Sequence, residues 1–133
     1  MNLHFKIKKT TDFIFDYLTD MQKFASVHPV IFQIDKTDND SYLVYEKLNF
    51  CFIPFSFTYP VIIEKNDIDK VVIIYATVMK WTKIVMKFVL ITENDKTIIE
   101  ENIKFKSPLP VKFIMQSIFR KQHGLLFKNI EMK

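Results

Sequence analysis

Glycine is nearly absent from this chain, whose 133 residues include only Gly124. Phosphate-binding loops, dinucleotide-binding turns and nucleophile elbows depend on glycine, because the backbone there approaches a ligand closely or adopts a positive φ. The shortage argues against a P-loop NTPase, a Rossmann dehydrogenase and an α/β-hydrolase in their usual forms.

Cysteine is equally scarce, since Cys51 is the single one and cannot form an internal disulfide. That fits a reducing compartment. The N-terminal sequence MNLHFKIKK has no apolar core or small-residue cleavage site of the kind that marks a signal peptide. The longest apolar run, Val71 to Met79, is about half the length of a membrane span. We therefore expect a soluble cytoplasmic protein that does not span a membrane.

A concentrated block of charge is also missing. The net charge is +4 and the pI is about 9.1, but the lysines are spread singly and no run of five or six like charges occurs. A solvated basic surface explains this better than a nucleic-acid interface, which would need a basic and aromatic stripe. With 49% hydrophobic residues and 14 phenylalanines, residues 1–133 are expected to form one domain with a substantial core.

The chain begins with one strand and two short helices, followed by strands alone. Leu3, Phe5 and Ile7 alternate with polar residues, which is typical of a half-buried strand. Thr10 or Thr11 can cap a first helix, and Asp20 can cap a second that ends before His28-Pro29. Six strands joined by polar turns rich in Asn and Asp are then predicted as an antiparallel meander: Val30–Asp35, Ser41–Phe50, Phe55–Lys65, Lys70–Met79, Thr82–Thr92 and Thr97–Lys106.

A long helix is predicted at the end of the chain, with Ser107 as its N-cap and Pro108 at its first position. Its helical period gives one broad apolar face made of Val111, Ile114, Met115, Ile118, Phe119, Leu125, Leu126 and Ile130. Gln122 and Asn129 interrupt the middle of that face, and Gly124 is a point where the helix could bend. Phe113 and Phe127 fall on the charged side by the same count.

Alternation within the strands places two carboxylates on inward faces. Glu46 shares a face with Tyr42, Val44 and Leu48, and Glu101 shares one with Ile99, Ile103 and Phe105. Ile84, Met86, Phe88 and Leu90 also point inward, whereas the strand Val71–Val78 is apolar on both faces and its orientation is undecided. One helix cannot fill so much inward apolar surface, so we expect a cavity with a few polar groups.

Structural explanations stand beside the functional ones. The two glutamates could lie on a rim, and Gln122 and Asn129 could cap strand edges or meet solvent. Core and hairpin packing accounts for the FCFIPFSFTY run, and gap filling for Met79, Met86 and Met115. The three histidines lie far apart without the spacing of a metal site or catalytic triad, and His28 is interpreted as a helix-end residue.

The order and several segments of this chain resemble the START/Bet v 1-like superfamily. The segments are DFIFDYLTDMQKFASVHP, SYLVYE, TIIEENIKF and SPLP, and at the residue level they are similar to small bacterial SRPBCC and polyketide-cyclase-like proteins. The resemblance implies an α+β helix-grip fold: a seven-stranded antiparallel sheet of order β-α-α-β6-α around a long C-terminal helix. A fatty-acid-binding-protein barrel is the rival architecture, but it ends in strands rather than in a helix.

The resemblance implies binding of lipids, sterols, polyketides or other hydrophobic molecules between the sheet and the last helix. No universal catalytic motif accompanies it, and fold alone does not fix function. The first hypothesis is therefore a hydrophobic small-molecule ligand, without metal or cofactor, in a protein that is a monomer or dimer. The predicted ligand-binding residues are Tyr42, Glu46, Met86, Phe88, Ile99, Glu101, Met115, Ile118, Gln122 and Asn129.

Two alternatives remain open at this stage. One is a cyclase or hydrolase that uses Glu46 or Glu101 as a general acid or base, with a pKa raised by its apolar surroundings. The other is a protein-interaction module with ribosome or chaperone partners, acting through the basic exterior or through Phe113 and Phe127.

Overall fold

Seven strands and three helices make up the protein, in a computed structural model that describes residues 1–50 and 52–133. Cys51, the subject of the disulfide prediction, lies outside the described residues. The elements are β1 (Asn2–Ile7), α1 (Thr11–Thr19), α2 (Met21–Val27), β2 (Ile31–Asp38), β3 (Ser41–Phe50), β4 (Ile53–Asn66), β5 (Val71–Val78), β6 (Thr82–Glu93), β7 (Lys96–Lys106) and α3 (Lys112–Glu131). The predicted α+β class and the order β-α-α-β6-α are confirmed.

The strands form one antiparallel sheet in the order β1-β7-β6-β5-β4-β3-β2. Strands β2 to β7 are a meander, because each short turn returns the chain beside the strand it has just left. Strand β1 pairs with β7 at the far edge, with Leu3 opposite Glu101. Helices α1 and α2 therefore connect the two edge strands of the sheet.

The predicted caps of the first two helices are confirmed. The Thr10 hydroxyl accepts a hydrogen bond from the Phe13 amide at 3.1 Å. The Asp20 carboxylate accepts from the amides of Gln22 and Lys23 at 3.0 and 3.2 Å. These bonds satisfy N–H groups that lack a partner within each helix, and they fix the abrupt change of direction between α1 and α2.

The predicted start of the last helix is wrong. Helix α3 begins at Lys112, and its N-cap, Val111, makes no side-chain capping bond. Two prolines explain the difference, because the residue before a proline avoids the helical region and both Ser107 and Leu109 precede one. The Ser107 hydroxyl instead lies 2.9 Å from that of Thr82. Helix α3 is continuous through Gly124, where an added Cβ would meet nothing within 4 Å.

The buried side of α3 is rotated by about 70° from the predicted face, counting 100° per residue. Phe127, expected on the charged side, is 1% exposed, whereas Ile114 and Leu125 are 48% and 40% exposed. Phe127 packs against Phe5 and Phe88, with ring centroids 4.8 and 6.0 Å apart. The helix therefore rests on β1 and β6 through a side that the apolar count alone did not identify.

Side chains of alternate residues on the inner face of the sheet form the core. In β5, whose orientation the sequence left undecided, Val72, Ile74 and Ala76 are buried. In β7, Ile99 and Ile103 are fully buried on either side of Glu101. Among the described residues, no helix is long and apolar enough to cross a membrane.

Candidate functional site

A cavity of about 120 Å³ lies between the inner face of the sheet, α2 and α3. Strands β2 to β6 supply most of its wall, and the first half of α3 and the side of α2 complete it. Its lining is apolar apart from five side chains: His28, Glu46, Tyr59, Gln122 and His123. Apolar walls with a few placed polar groups are the usual composition of a small-molecule site.

The cavity reaches the surface beside a groove between α3 and the start of β2. Leu48, Ile118 and Gln122 line both the cavity and this groove. Ile114 and Leu125 line only the groove, which explains why they are apolar and yet exposed. A ligand could therefore pass between the groove and the cavity beside these three shared residues.

The buried carboxylate of Glu101 pairs with His123. The Nδ1 atom of His123 lies 2.8 Å from Oε1 and 2.6 Å from Oε2 of Glu101, and each residue is 2% exposed. Glu101 reaches the helix because β7 directs every second side chain inward. The pair fixes the orientation of the imidazole, whose other edge lies beside Phe88 and Phe119 with centroid separations of 6.0 and 5.2 Å.

His28 lies at the C-terminal end of α2, where the sequence placed it, and its ring also lines the cavity. Its Nδ1 atom accepts hydrogen bonds from the amides of Val30 and Ile31 at 3.3 and 3.2 Å. Burial, with a smaller contribution from the positive charge of His123, lowers the pKa of His28 to about 3. His28 is therefore a neutral imidazole at physiological pH.

Glu46 occupies the opposite part of the wall, on β3. Its Oε2 accepts a hydrogen bond from the Tyr59 hydroxyl at 2.5 Å, and the side chains extend from paired strands. Burial raises the pKa of Glu46, against the opposing effects of the Tyr59 bond and the positive charge of His123. Burial together with the carboxylate raises the pKa of Tyr59 well above its usual value. The rim interpretation of Glu46 and Glu101 is wrong.

Comparison with known proteins gives similarity of structure only. No family model matches this chain, and no curated protein matches it in sequence. Among solved structures, Ara h 8.0201 aligns with a TM-score of 0.75 at 15% identity, covering 98% of this chain and 93% of the other. A START superfamily protein from Mycobacterium smegmatis aligns with a TM-score of 0.71 at 12% identity, covering 98% and 93%.

The Zhui aromatase/cyclase from Streptomyces sp. R1128 aligns with a TM-score of 0.69 at 7% identity, covering 98% of this chain and 90% of the other. START, Bet v 1-like and polyketide-cyclase proteins thus share one arrangement of strands and helices with this chain. The chain has the helix-grip fold. In this helix-grip fold the cavity lies between the sheet and the C-terminal helix, the place that the sequence resemblance implied.

The helix-grip structure brings most, but not all, of the predicted site residues to the cavity. Those that line it are Glu46, Met86, Phe88, Met115, Ile118 and Gln122. Ile99 is fully buried in the core and Tyr42 is half-buried beside it, and neither lines the cavity. Glu101 lies behind His123, and the Asn129 amide donates to the carbonyl of Val27 at 2.9 Å. Asn129 thus ties α3 to the end of α2.

Three polar residues of the cavity were not predicted as site residues: His28, Tyr59 and His123. The histidines were judged too far apart in sequence, yet their ring centroids are 6.3 Å apart. A signal for His123 was present, since it is four residues from both Phe119 and Phe127 and therefore shares their side of the helix. Within the residues that the structure describes, no group of three or more His, Cys, Asp or Glu could hold a metal ion.

Exposed apolar side chains surround the end of the sheet where the groove lies. The β3–β4, β5–β6 and β7–α3 connections meet there, as the strand registers require. Phe52, Trp81 and Phe113 are 102%, 65% and 84% exposed. The predicted exposure of Phe113 is confirmed, whereas the core role expected of Met79 and of the first half of the FCFIPFSFTY run is wrong for Met79, Ile53 and Phe55.

Proposed function

We propose that this protein binds a hydrophobic small molecule in the cavity between the sheet and α3. The observation that supports the proposal most directly is the cavity itself, about 120 Å³ in volume with apolar walls and polar groups confined to a few positions. A filled core would have needed none of those buried polar side chains. Similar folds described as START and aromatase/cyclase proteins are consistent with such a ligand.

The size of the cavity indicates the scale of the ligand. An engineered apolar cavity of roughly 150 Å³ in another protein stays dry and binds benzene. The present cavity is similar in volume and opens toward a groove, so one aromatic ring or a short branched chain fits, with further length lying in the groove. Each square ångström of apolar ligand surface removed from water contributes about 25 cal/mol.

Filling the cavity tests the proposal. Ala76 is buried on β5 and lines the cavity, whereas its neighbour Thr77 is half-buried on the other side of the strand. We expect toluene or a short fatty acid to raise the melting temperature of the native protein. Ala76→Leu should abolish most of that rise, because the added side chain occupies the ligand's space, and Thr77→Leu should preserve it.

Native mass spectrometry of freshly purified protein provides an independent measurement, since a co-purified apolar molecule would be lost in Ala76→Leu. An unchanged melting temperature with every apolar compound in the native protein, and no bound mass, would refute the proposal. Equal ligand responses in the two leucine variants would show that binding occurs elsewhere.

A further inference from the structure

Two imidazole rings from separate helices meet at the cavity. His28 comes from the end of α2 and His123 from the middle of α3, with ring centroids 6.3 Å apart and planes 81° apart. Both line the cavity. Their surroundings determine which nitrogen of each ring carries a hydrogen, and this in turn determines what the pair can bind.

His28 carries its hydrogen on Nε2. Its Nδ1 atom accepts from two backbone amides, those of Val30 and Ile31. A ring nitrogen that accepts hydrogen bonds in its plane has no hydrogen of its own, so the neutral ring is protonated on the other nitrogen. His28 is consequently a hydrogen-bond donor through Nε2.

His123 also carries a hydrogen on Nε2. Its Nδ1 atom contacts the fully buried carboxyl group of Glu101, and such a pair is stable in an apolar interior when its net charge is zero. Two states meet that condition. In the imidazolium–carboxylate pair both ring nitrogens are protonated. In the neutral pair the carboxyl hydrogen is donated to Nδ1, and the ring hydrogen lies on Nε2.

Neither Nε2 atom has a hydrogen-bond partner within residues 1–50 and 52–133. Two N–H donors at one cavity are unsatisfied unless a ligand or water supplies an acceptor. We infer that His28 and His123 form a two-donor site for a carbonyl oxygen of the bound molecule, an inference that rests on the proposed function. The ligand class is an apolar ketone or ester.

A neutral carbonyl fits better than the other oxygen groups. It offers two lone pairs and needs no acceptor in return, whereas a hydroxyl group would also have to donate. A carboxylate would bring a negative charge into an interior that already holds Glu46 and Glu101. Like charges at short range in an apolar site disfavour one another strongly.

The test compares acetophenone with α-methylstyrene, which has nearly the same shape but a methylene group in place of the carbonyl oxygen. Binding of both to the native protein is measured by calorimetry, and the carbonyl stretch of bound acetophenone by infrared difference spectroscopy with a ¹³C-labelled carbonyl. We expect the stretch to lie below its value in hexane, because two hydrogen bonds weaken the carbonyl bond.

Two variants remove the donors without leaving a buried group unpaired. His28→Asn places an amide oxygen near the position of Nδ1, so the Val30 and Ile31 amides keep an acceptor while Nε2 is lost. The double variant Glu101→Leu, His123→Phe replaces the buried pair by apolar groups, a change that proteins commonly tolerate. Each variant should weaken acetophenone binding about tenfold, the effect of one hydrogen bond, and change α-methylstyrene binding less than about twofold.

The outcomes separate the inference from the proposed function. If α-methylstyrene binds and acetophenone shows no carbonyl shift, or if both ligands weaken equally in the variants, the two-donor site is refuted and the apolar cavity stands. If neither compound binds the native protein, the proposed function fails and the inference fails with it. A carbonyl shift that both variants reduce supports the site.

Discussion

Glu46 and Glu101 are two buried carboxyl groups in the same interior, but they have different partners. Glu46 accepts from the Tyr59 hydroxyl and borders the cavity itself. Glu101 lies behind His123, and both of its oxygens approach the same imidazole nitrogen. The difference shows that equal burial does not mean an equal role: one carboxyl group belongs to the cavity wall, and the other holds a wall residue in place.

Removing the Glu101 side chain should produce the largest change in stability. Glu101→Ala leaves the buried His123 without its partner, and breaking a buried pair typically costs about 3–5 kcal/mol. Urea unfolding followed by circular dichroism measures the loss. Glu100→Ala is the matched control, because Glu100 is the preceding residue on the exposed face of β7. A cost below about 1 kcal/mol at Glu101 would mean that the pair adds little to the fold.

The sequence predicted the two carboxyl groups equally well, because period-two alternation needs only the strand and its apolar neighbours. The order of elements was predictable for the same reason, since polar turns interrupt a long run of strands. The difference between the two glutamates was not predictable. It depends on which helix residue lies above each strand, and Ile114 and Leu125, apolar for the groove, drew the predicted face of α3 away from His123.

Acid should weaken the fold through His28 rather than through either glutamate. The pKa of His28 is about 3 in the folded protein and 6.5 in the unfolded chain, so the unfolded chain binds more protons between these values. Stability therefore falls as the pH drops below 6.5 and stops falling from this cause near 3. Lowering the pH from about 7 to about 5 should cost about 2 kcal/mol.

His28→Asn provides the control for this acid effect, since asparagine keeps an acceptor for the Val30 and Ile31 amides and does not titrate. Urea unfolding of both proteins at the two pH values gives the difference attributable to His28. The variant should lose most of the decline. An identical decline in both proteins would assign the acid sensitivity to other groups.

The smallest expected effect is at Glu46, and its sign is opposite to that at Glu101. Burial raises the pKa of Glu46 in the folded protein above its ordinary value of 4.5. The contribution of this shift is present below that value and is lost as the pH rises through the folded pKa, so ionised Glu46 is a cost near neutrality. Glu46→Gln keeps an acceptor for Tyr59 and should stabilise the protein at pH 7 by about 0.5–1 kcal/mol.

The gain from Glu46→Gln should disappear in mild acid, where the native carboxyl group is itself neutral, and urea unfolding across the pH range measures this directly. Titration of Glu46 by carboxyl ¹³C NMR gives the same shift independently. An ordinary pKa and no gain at pH 7 would remove the reason to consider Glu46 as the acid or base of an enzyme. A raised pKa, retained despite the stability that it costs, would indicate a carboxyl group kept for what it meets in the cavity, whereas Glu101 is kept for the histidine that it holds.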